Sequence, residues 1–479
     1  MSDKFYHLIN GERLGGDEWD EIRNPANINQ VVARFPHGTA ATAQRAIEAA
    51  RSALPAWADM PPPARGAILE RASGIIEERL EDMAATLTRE EGKTIKEARG
   101  EVGRARDIFR YYGGEGWRSH DHVIPSNSGG ELLYTRREPL GVVGVITPWN
   151  FPVAIPAWKM APALAYGNTV VFKPAGLAPG IGLMLVEALV EAGLPPGVVN
   201  FVHGSGREVG EVIVSSPEVN GISFTGSHQV GTQIYAKAIQ NLTRVQLEMG
   251  GKNPLIVLND ADLDLAVRLA ALSGFGVTGQ ACTAASRLIV ENGIADRFVE
   301  RLVDASRSLV VGDGLDEATQ MGPAVSQDQL ETDLTYVQVG RKEGARLRAG
   351  GDRAGDNGYF IQPTVFDNVT ADMRIAQEEI FGPVVSVTRV NDLQSAIVEA
   401  NNVRYGLSAG IVTNDLQKAF TFANQIEAGV VKVNEPTTGL ALQAPFGGFK
   451  HSSSNTFKEQ GAAAIEFYTR TKTIYMGHG

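Results

Sequence analysis

From Leu140 onward the apolar positions fall into short continuous runs separated by segments of helical periodicity. The runs at 141–147, 168–173, 198–202, 221–225, 244–248 and 254–258 lack the polar alternation of a half-exposed strand, and several are rich in Val and Ile. Continuous apolar strands of this kind are buried on both faces, as in parallel sheets. Helical segments of about twelve residues lie between several of them, which predicts parallel βαβ units. A second series follows, with helices expected around 262–276, 295–308, 326–343 and 415–426. Its strands are expected around 286–291, 384–389, 407–412 and 429–433.

Before Leu140 the pattern differs. Residues 5–40 read as short strands and turns, with Asn24-Pro25-Ala26 as a turn. Ala-rich segments 41–54, 62–90 and 94–112 carry apolar residues at three- and four-residue spacing and read as helices. Pro61-Pro62-Pro63 separates the first two, and proline is well placed at a helix start. Residues 121–140 alternate and predict a hairpin; a Gly/Ser-rich loop (446–456) and an extended tail (463–475) close the chain.

At 479 residues the chain is long enough for more than one domain. Its 43% hydrophobic and 21% charged residues are those of a soluble globular protein. A net charge of −11 argues against nucleic acid as a partner, since phosphate binding wants a basic face. No run of about 18 apolar residues is present to span a bilayer, and Met1-Ser2-Asp3-Lys4 lacks a signal core, so a cytoplasmic protein without a membrane partner is expected.

Cys282 is the only cysteine, so it has no disulfide partner and cannot form a multi-thiolate metal site. It follows the small, Gly-containing stretch Phe275-Gly276-Val277-Thr278-Gly279-Gln280-Ala281, where backbone can approach a bound molecule closely. An inert buried thiol and a nucleophile are both open on that evidence. Leu247-Glu248-Met249-Gly250-Gly251-Lys252 shifts the balance, because a carboxylate on an apolar strand is costly unless it is bonded or serves as a base. Thr147-Pro148-Trp149-Asn150 follows a buried strand, where ligands of open α/β sheets gather, although Asn150 could equally be a turn residue. Lys173 ends another such strand and is placed to meet a phosphate or a ribose hydroxyl. Gly226-Ser227 opens a helix whose free N–H groups suit phosphate, or Ser227 is simply its cap. Gly204-Ser205-Gly206-Arg207-Glu208-Val209-Gly210 matches the dinucleotide fingerprint only loosely, with three residues between the later glycines instead of two.

Together these stretches resemble the aldehyde dehydrogenase superfamily over essentially the whole chain. The motifs come in the family's order: Pro148-Trp149-Asn150-Phe151-Pro152, Phe172-Lys173-Pro174-Ala175, Phe224-Thr225-Gly226-Ser227, Leu247 to Pro254, Gly279-Gln280-Ala281-Cys282-Thr283 with Arg287, Glu378-Glu379-Ile380-Phe381-Gly382-Pro383-Val384, and Pro445-Phe446-Gly447-Gly448-Phe449-Lys450. The resemblance implies NAD(P)-dependent oxidation of an aldehyde to an acid. It makes Cys282 the nucleophile, Asn150 with the Cys282 N–H the oxyanion hole, and Glu248 the base for thioester hydrolysis. Lys173 and Glu379 become ligands of the cofactor's ribose hydroxyls, while Trp149, Gly226, Ser227 and Phe381 line its cleft. Glu459 matches a second carboxylate that some members use to relay protons. No metal is required.

Gly176 departs from the pattern. NAD-preferring members often carry a Glu there, which accepts the ribose hydroxyls and repels a 2′-phosphate. Glycine leaves room, so NADP or dual use is expected over strict NAD. The stretch Asn434 to Lys450, followed by His451-Ser452-Ser453, resembles bacterial and archaeal 2,5-dioxopentanoate (α-ketoglutarate semialdehyde) dehydrogenases. Arg104 falls where the family's substrate tunnel is lined from a helix, a candidate partner for that substrate's carboxylate or a solvated helix arginine. Phe151, Trp158 and Phe446 would supply apolar walls, which suit an aromatic aldehyde such as vanillin or benzaldehyde equally. Succinate semialdehyde is a further candidate. A CoA-acylating enzyme and a non-catalytic member are the rivals; Glu248 as a base speaks against the first, and Glu248, Cys282 and Asn150 together speak against the second.

The expected architecture is α/β. A Rossmann-like cofactor domain takes 1–120 and 141–250, and an α/β catalytic domain takes 251–432. A small β oligomerisation element (121–140 and 433–479) would support a homodimer or homotetramer, since an uncovered hairpin is an unpaired-edge hazard.

Overall fold

The computed structural model describes residues 4–118 and 120–477. Residues 1–3, part of the terminus in which no signal core is expected, lie outside the described residues.

The first sheet has seven strands in the order Arg244–Met249, Gly221–Gly226, Val142–Ile146, Thr169–Lys173, Val199–Phe201, His7–Ile9 and Glu12–Leu14. Its first five are parallel, and the two N-terminal strands add antiparallel at one edge. The strand order reverses between Val142–Ile146 and Gly221–Gly226, which makes that crevice the ligand-binding position of an open α/β sheet. All five residues of Val142–Ile146 and of Thr169–Lys173 are buried, as their unbroken apolar character requires.

The second sheet also has seven strands, in the order Arg346–Ala349, Thr364–Asp367, Val384–Val390, Ala285–Glu291, Asn253–Val257, Ser408–Val412 and Val430–Val433. Only Arg346–Ala349 runs antiparallel to its neighbour. Val123–Ile124, Glu131–Pro139 and Thr469–Gly477 form a separate antiparallel sheet, with Thr469 opposite Pro139 and Gly477 opposite Glu131. Val123, Tyr475 and Met476 are exposed on it.

Helix starts follow local chemistry. Thr39 and Thr94 close capping boxes ahead of Ala40–Asp59 and Ile95–Gly113, and Pro62 occupies the first turn of Pro62–Glu78.

Two expectations need correcting. The segment 62–90 is two helices, Pro62–Glu78 and Leu80–Glu91, because Arg79 (φ −101°, ψ 10°) leaves helical geometry. The tail is extended only from Thr469; Ala464–Tyr468 is a short helix, with Ala464, Phe467 and Tyr468 in the core beside Ala154–Ala165. Among the elements that escaped the sequence pattern are the strands Arg346–Ala349, Thr364–Asp367, Tyr405–Gly406 and Phe449–Lys450 and the helices Arg374–Gln377 and Leu393–Asn401. They are short, and the pattern needs length.

Candidate active site

Parallel strands send their carboxyl ends the same way, so the segments after Ile146, Lys173, Gly226 and Met249 gather at one edge of the first sheet. A cleft of about 300 Å³ there is lined by Trp149, Asn150, Gly226, Ser227, Gly250, Cys282, Glu379 and Phe381, among others. A second, of about 480 Å³, is lined by Lys173, Gly206, Arg207, Gly210, Glu211, Val230 and Lys237, among others. Seven of the residues singled out in the sequence thus share one cleft, and Lys173 lines the other. Glu248 and Gly176 line neither.

Cys282 is partly exposed. It follows a turn in which Val277 (φ 50°) and Thr278 (φ 56°) are left-handed, an uncommon state for β-branched residues and one that clusters at functional sites. Asn253 holds the Cys282 turn by the main chain, donating to the carbonyls of Cys282 (2.8 Å) and Ala284 (2.9 Å). Asn150 is buried and donates from Nδ2 to the Gln280 carbonyl at 2.9 Å, which brings its amide to the Cys282 loop. Burial pushes the Cys282 thiol up to about 12; Glu379 and Glu248 push the same way, and the N–H groups of Thr283 and Cys282 oppose them.

Glu248 ends its strand buried, accepting from Gly448 N at 3.3 Å through Oε2, while Oε1 has no partner among the described residues. A Cβ on Gly447 would lie 2.6 Å from that Oε1, so only glycine fits. Burial and then the Glu459 charge hold the Glu248 carboxyl well above the usual range, against Lys159 and Lys458. Glu459 is buried in an ion pair with Lys159, whose Nζ also donates to Ser223 Oγ at 3.0 Å. Sequence reading missed Lys159, which sits in a helix all of whose residues are buried. A lysine there signals a buried partner.

On the cofactor-facing side, Lys173 bonds the Pro174 carbonyl at 3.1 Å, and burial brings its ammonium down to about 8. Ser227 caps the helix His228–Ala238, accepting from Val230 N at 3.3 Å. Trp149 and Phe381 meet edge to face with centroids 5.4 Å apart. Glu379 accepts from Gly251 N at 2.8 Å, and burial raises its carboxyl to about 7. A Cβ on Gly250 would lie 1.9 Å from Glu379 Oε2, which accounts for the first glycine of that pair. Gly176 has open space where a side chain would go. The loose fingerprint at 204–210 is a π-helical turn, Gly206–Gly210, and its Arg207 lines the second cleft, a placement its spacing did not announce.

Three of the four substrate candidates form one contiguous group. Trp158 and Phe446 pack with centroids 6.0 Å apart, and the Arg104 guanidinium lies 5.8 Å from the Trp158 ring centre. Arg104 also donates to the Leu440 carbonyl and to Gln460 Oε1 (2.9 Å), and has no carboxylate partner among the described residues. Phe151 lies under Lys93 Nζ, 4.3 Å from its ring centre. Among the described residues no group of three or more His, Cys, Asp or Glu is placed to hold a metal ion, and no helix is long and apolar enough to cross a membrane.

Compared with known proteins, residues 15–474 match the aldehyde dehydrogenase family. The chain is 47% identical over 478 residues to the alpha-ketoglutaric semialdehyde dehydrogenase of Bacillus subtilis, covering 98% of each. It is 47% identical over 465 residues to the 2,5-dioxopentanoate dehydrogenase of Saccharolobus solfataricus, covering 96% of this chain and 97% of that relative. The solved NAD+ complex of an aldehyde dehydrogenase from Bacillus cereus is similar with a TM-score of 0.96 at 38% identity, covering 99% of this chain and 97% of that one.

Proposed function

This chain belongs to the aldehyde dehydrogenase family, and from that premise we propose that it oxidises a carboxylate-bearing aldehyde, 2,5-dioxopentanoate, to the acid with NADP or NAD. The observation that carries the chemistry is the placement of Cys282 and the Asn150 amide in one cleft, with Glu248 buried at the adjoining strand end. Glu248 takes the thiol proton, Cys282 Sγ attacks the aldehyde carbon, and the oxygen that becomes negative is held by Asn150 Nδ2 and the Cys282 N–H. A dinucleotide bound in the cleft would supply the acceptor for the hydride lost from that carbon, and Cys282 would keep the acyl group as a thioester. Glu248 takes a proton from water, which hydrolyses the thioester and frees the acid. Glu459, paired with Lys159, is the route by which Glu248 passes each proton on.

The residues suit a dinucleotide. Lys173 brings a cation with no carboxylate partner among the described residues, and Ser227 heads an eleven-residue helix whose free N–H groups suit a pyrophosphate. Lys173 and Glu379 would hold ribose hydroxyls, Gly226 and Ser227 the pyrophosphate, and Trp149 and Phe381 the walls beside the nicotinamide. The open space at Gly176 and the presence of Arg207 in the second cleft support NADP or dual use. Gly176→Glu should cost on the order of 1–3 kcal/mol for NADP, by like-charge placement against the 2′-phosphate, while NAD holds level or gains. Comparing kcat/KM for the two cofactors checks this, and equal losses would remove Gly176 from the adenosine ribose.

The substrate reading rests on Arg104, a half-buried cation without a carboxylate partner among the described residues, beside Trp158 and Phe446. Arg104→Leu should lower kcat/KM for 2,5-dioxopentanoate and succinate semialdehyde by roughly tenfold to a hundredfold, a charge-assisted bond of about 1.5–3 kcal/mol. Benzaldehyde should change little. If acidic and neutral aldehydes lose activity in the same proportion, Arg104 is structural and the Trp158–Phe446 walls favour an aromatic aldehyde instead. The sheet of Val123–Ile124, Glu131–Pro139 and Thr469–Gly477, with its exposed Val123, Tyr475 and Met476, is the proposed oligomerisation element. A chain that sediments only as a monomer would exclude that role.

A further inference from the structure

A buried ion pair outside the reacting groups converges on the loop that carries Asn150. Lys93 is 1% exposed, and its Nζ donates to Glu101 Oε2 at 2.6 Å and to the Asn150 main-chain carbonyl at 2.7 Å. The other oxygen of Glu101 accepts from Val153 N and Ala154 N, both at 3.0 Å. Those amides open the helix Ala154–Ala165, which has no side-chain cap of its own, so Glu101 supplies the capping oxygen from another helix. Residues 150–154 are thereby held at both ends by one charged pair.

The same helix, Ile95–Gly113, reaches the nucleophile's loop. Glu97 Oε2 closes the capping box with Thr94 N at 2.9 Å, while its Oε1 accepts from Val277 N at 2.7 Å, in the strained turn before Cys282. One helix start therefore touches both loops between which an oxyanion would sit. Stability alone is a poor reason for such a pair, since desolvation offsets most of the attraction between buried charges. What charge-assisted bonds give is short, fixed distances.

We propose that Lys93 and Glu101 are positioning residues for the oxyanion-binding amide of Asn150, acting through its main chain and not by touching substrate. The role rests on the reading of Asn150 as an oxyanion donor. Such donors act at about 2.7–3.1 Å from the developing charge, and a misplacement of about 1 Å can cost about a hundredfold.

The test uses the full-length enzyme and three readouts. Lys93→Met and Glu101→Gln are assayed for aldehyde oxidation, for hydrolysis of p-nitrophenyl acetate, and for alkylation of Cys282 by iodoacetamide. The first two reactions build negative charge on a carbonyl oxygen; the third displaces iodide and builds none. Oxidation and ester hydrolysis should fall together by about a hundredfold in kcat, with the alkylation rate and the KM for cofactor nearly unchanged. The double variant Lys93→Met/Asn150→Ala should fall no further than Asn150→Ala, because residues acting as a unit are not additive.

Unchanged oxidation in both single variants would overturn the proposal, as would alkylation falling in proportion or additive losses in the double variant. Should Lys93→Met not fold, Glu101→Gln keeps an acceptor oxygen for Val153 and Ala154 and carries the same readouts, and Glu101→Gln/Asn150→Ala carries the cycle. Loss in Asn150→Ala without loss in either positioning variant sinks the positioning role alone. No loss in Asn150→Ala sinks the oxyanion reading and the positioning role with it.

Discussion

Cys282→Ala is expected to lower aldehyde oxidation by at least about a thousandfold, the scale on which removing a covalent nucleophile acts. The fold should survive the change. Cys282 is partly exposed, and the bonds that fix its turn run from Asn253 to main-chain carbonyls, which alanine retains. The proposed cofactor contacts at Lys173, Ser227 and Glu379 lie on other segments, so dinucleotide affinity should stay within about threefold, since contacts remote from a substitution are usually independent of it. Fluorescence titration with cofactor, set beside the steady-state rate, separates the two quantities. Substantial turnover in a variant that still binds cofactor would remove the covalent mechanism.

Glu248→Gln should reduce steady-state turnover by about a hundredfold to ten-thousandfold, the usual contribution of a positioned general base. Glutamine keeps the shape that packs against Gly447 and keeps an oxygen for Gly448 N, so the change removes basicity and little else. Thioester hydrolysis should slow more than its formation, and a pre-steady-state burst of reduced cofactor should appear or grow. A fall in turnover with no change in the burst would confine the role of Glu248 to the Cys282 thiol.

The pH dependence carries the same information. A base works only when ionised, and burial and Glu459 raise the Glu248 carboxyl well above its ordinary value. The ionised fraction, and with it the rate of thioester hydrolysis, should therefore climb with pH above the range in which an ordinary carboxylate titrates. That limb should be absent in Glu248→Gln. Its persistence there would assign the titration to another group, and Glu379, in the Cys282 cleft and raised by burial to about 7, is the first to examine.

Much of the fold was legible because parallel strands buried on both faces leave unbroken apolar runs, as in Val142–Ile146, Thr169–Lys173 and Asn253–Val257. Cys282 stood out by being alone, and Glu248 by being a charge on an apolar strand. The break at Arg79 was invisible, because one residue outside helical geometry does not disturb the apolar spacing on either side of it. Other features were decided by tertiary structure alone. The Gly448 amide reaches Glu248 from 200 residues away, and Lys159 meets Glu459 across 300. Lys93 holds the Asn150 loop across 57 residues. Local sequence constrains which dihedral angles and faces a segment prefers, and that suffices for strands, caps and turns. It carries no record of which distant polar group will share a dry interior. That choice is made when the two sheets and the C-terminal loop pack together, and the desolvation of charges such as Lys93 and Glu248 then demands partners that only packing can supply.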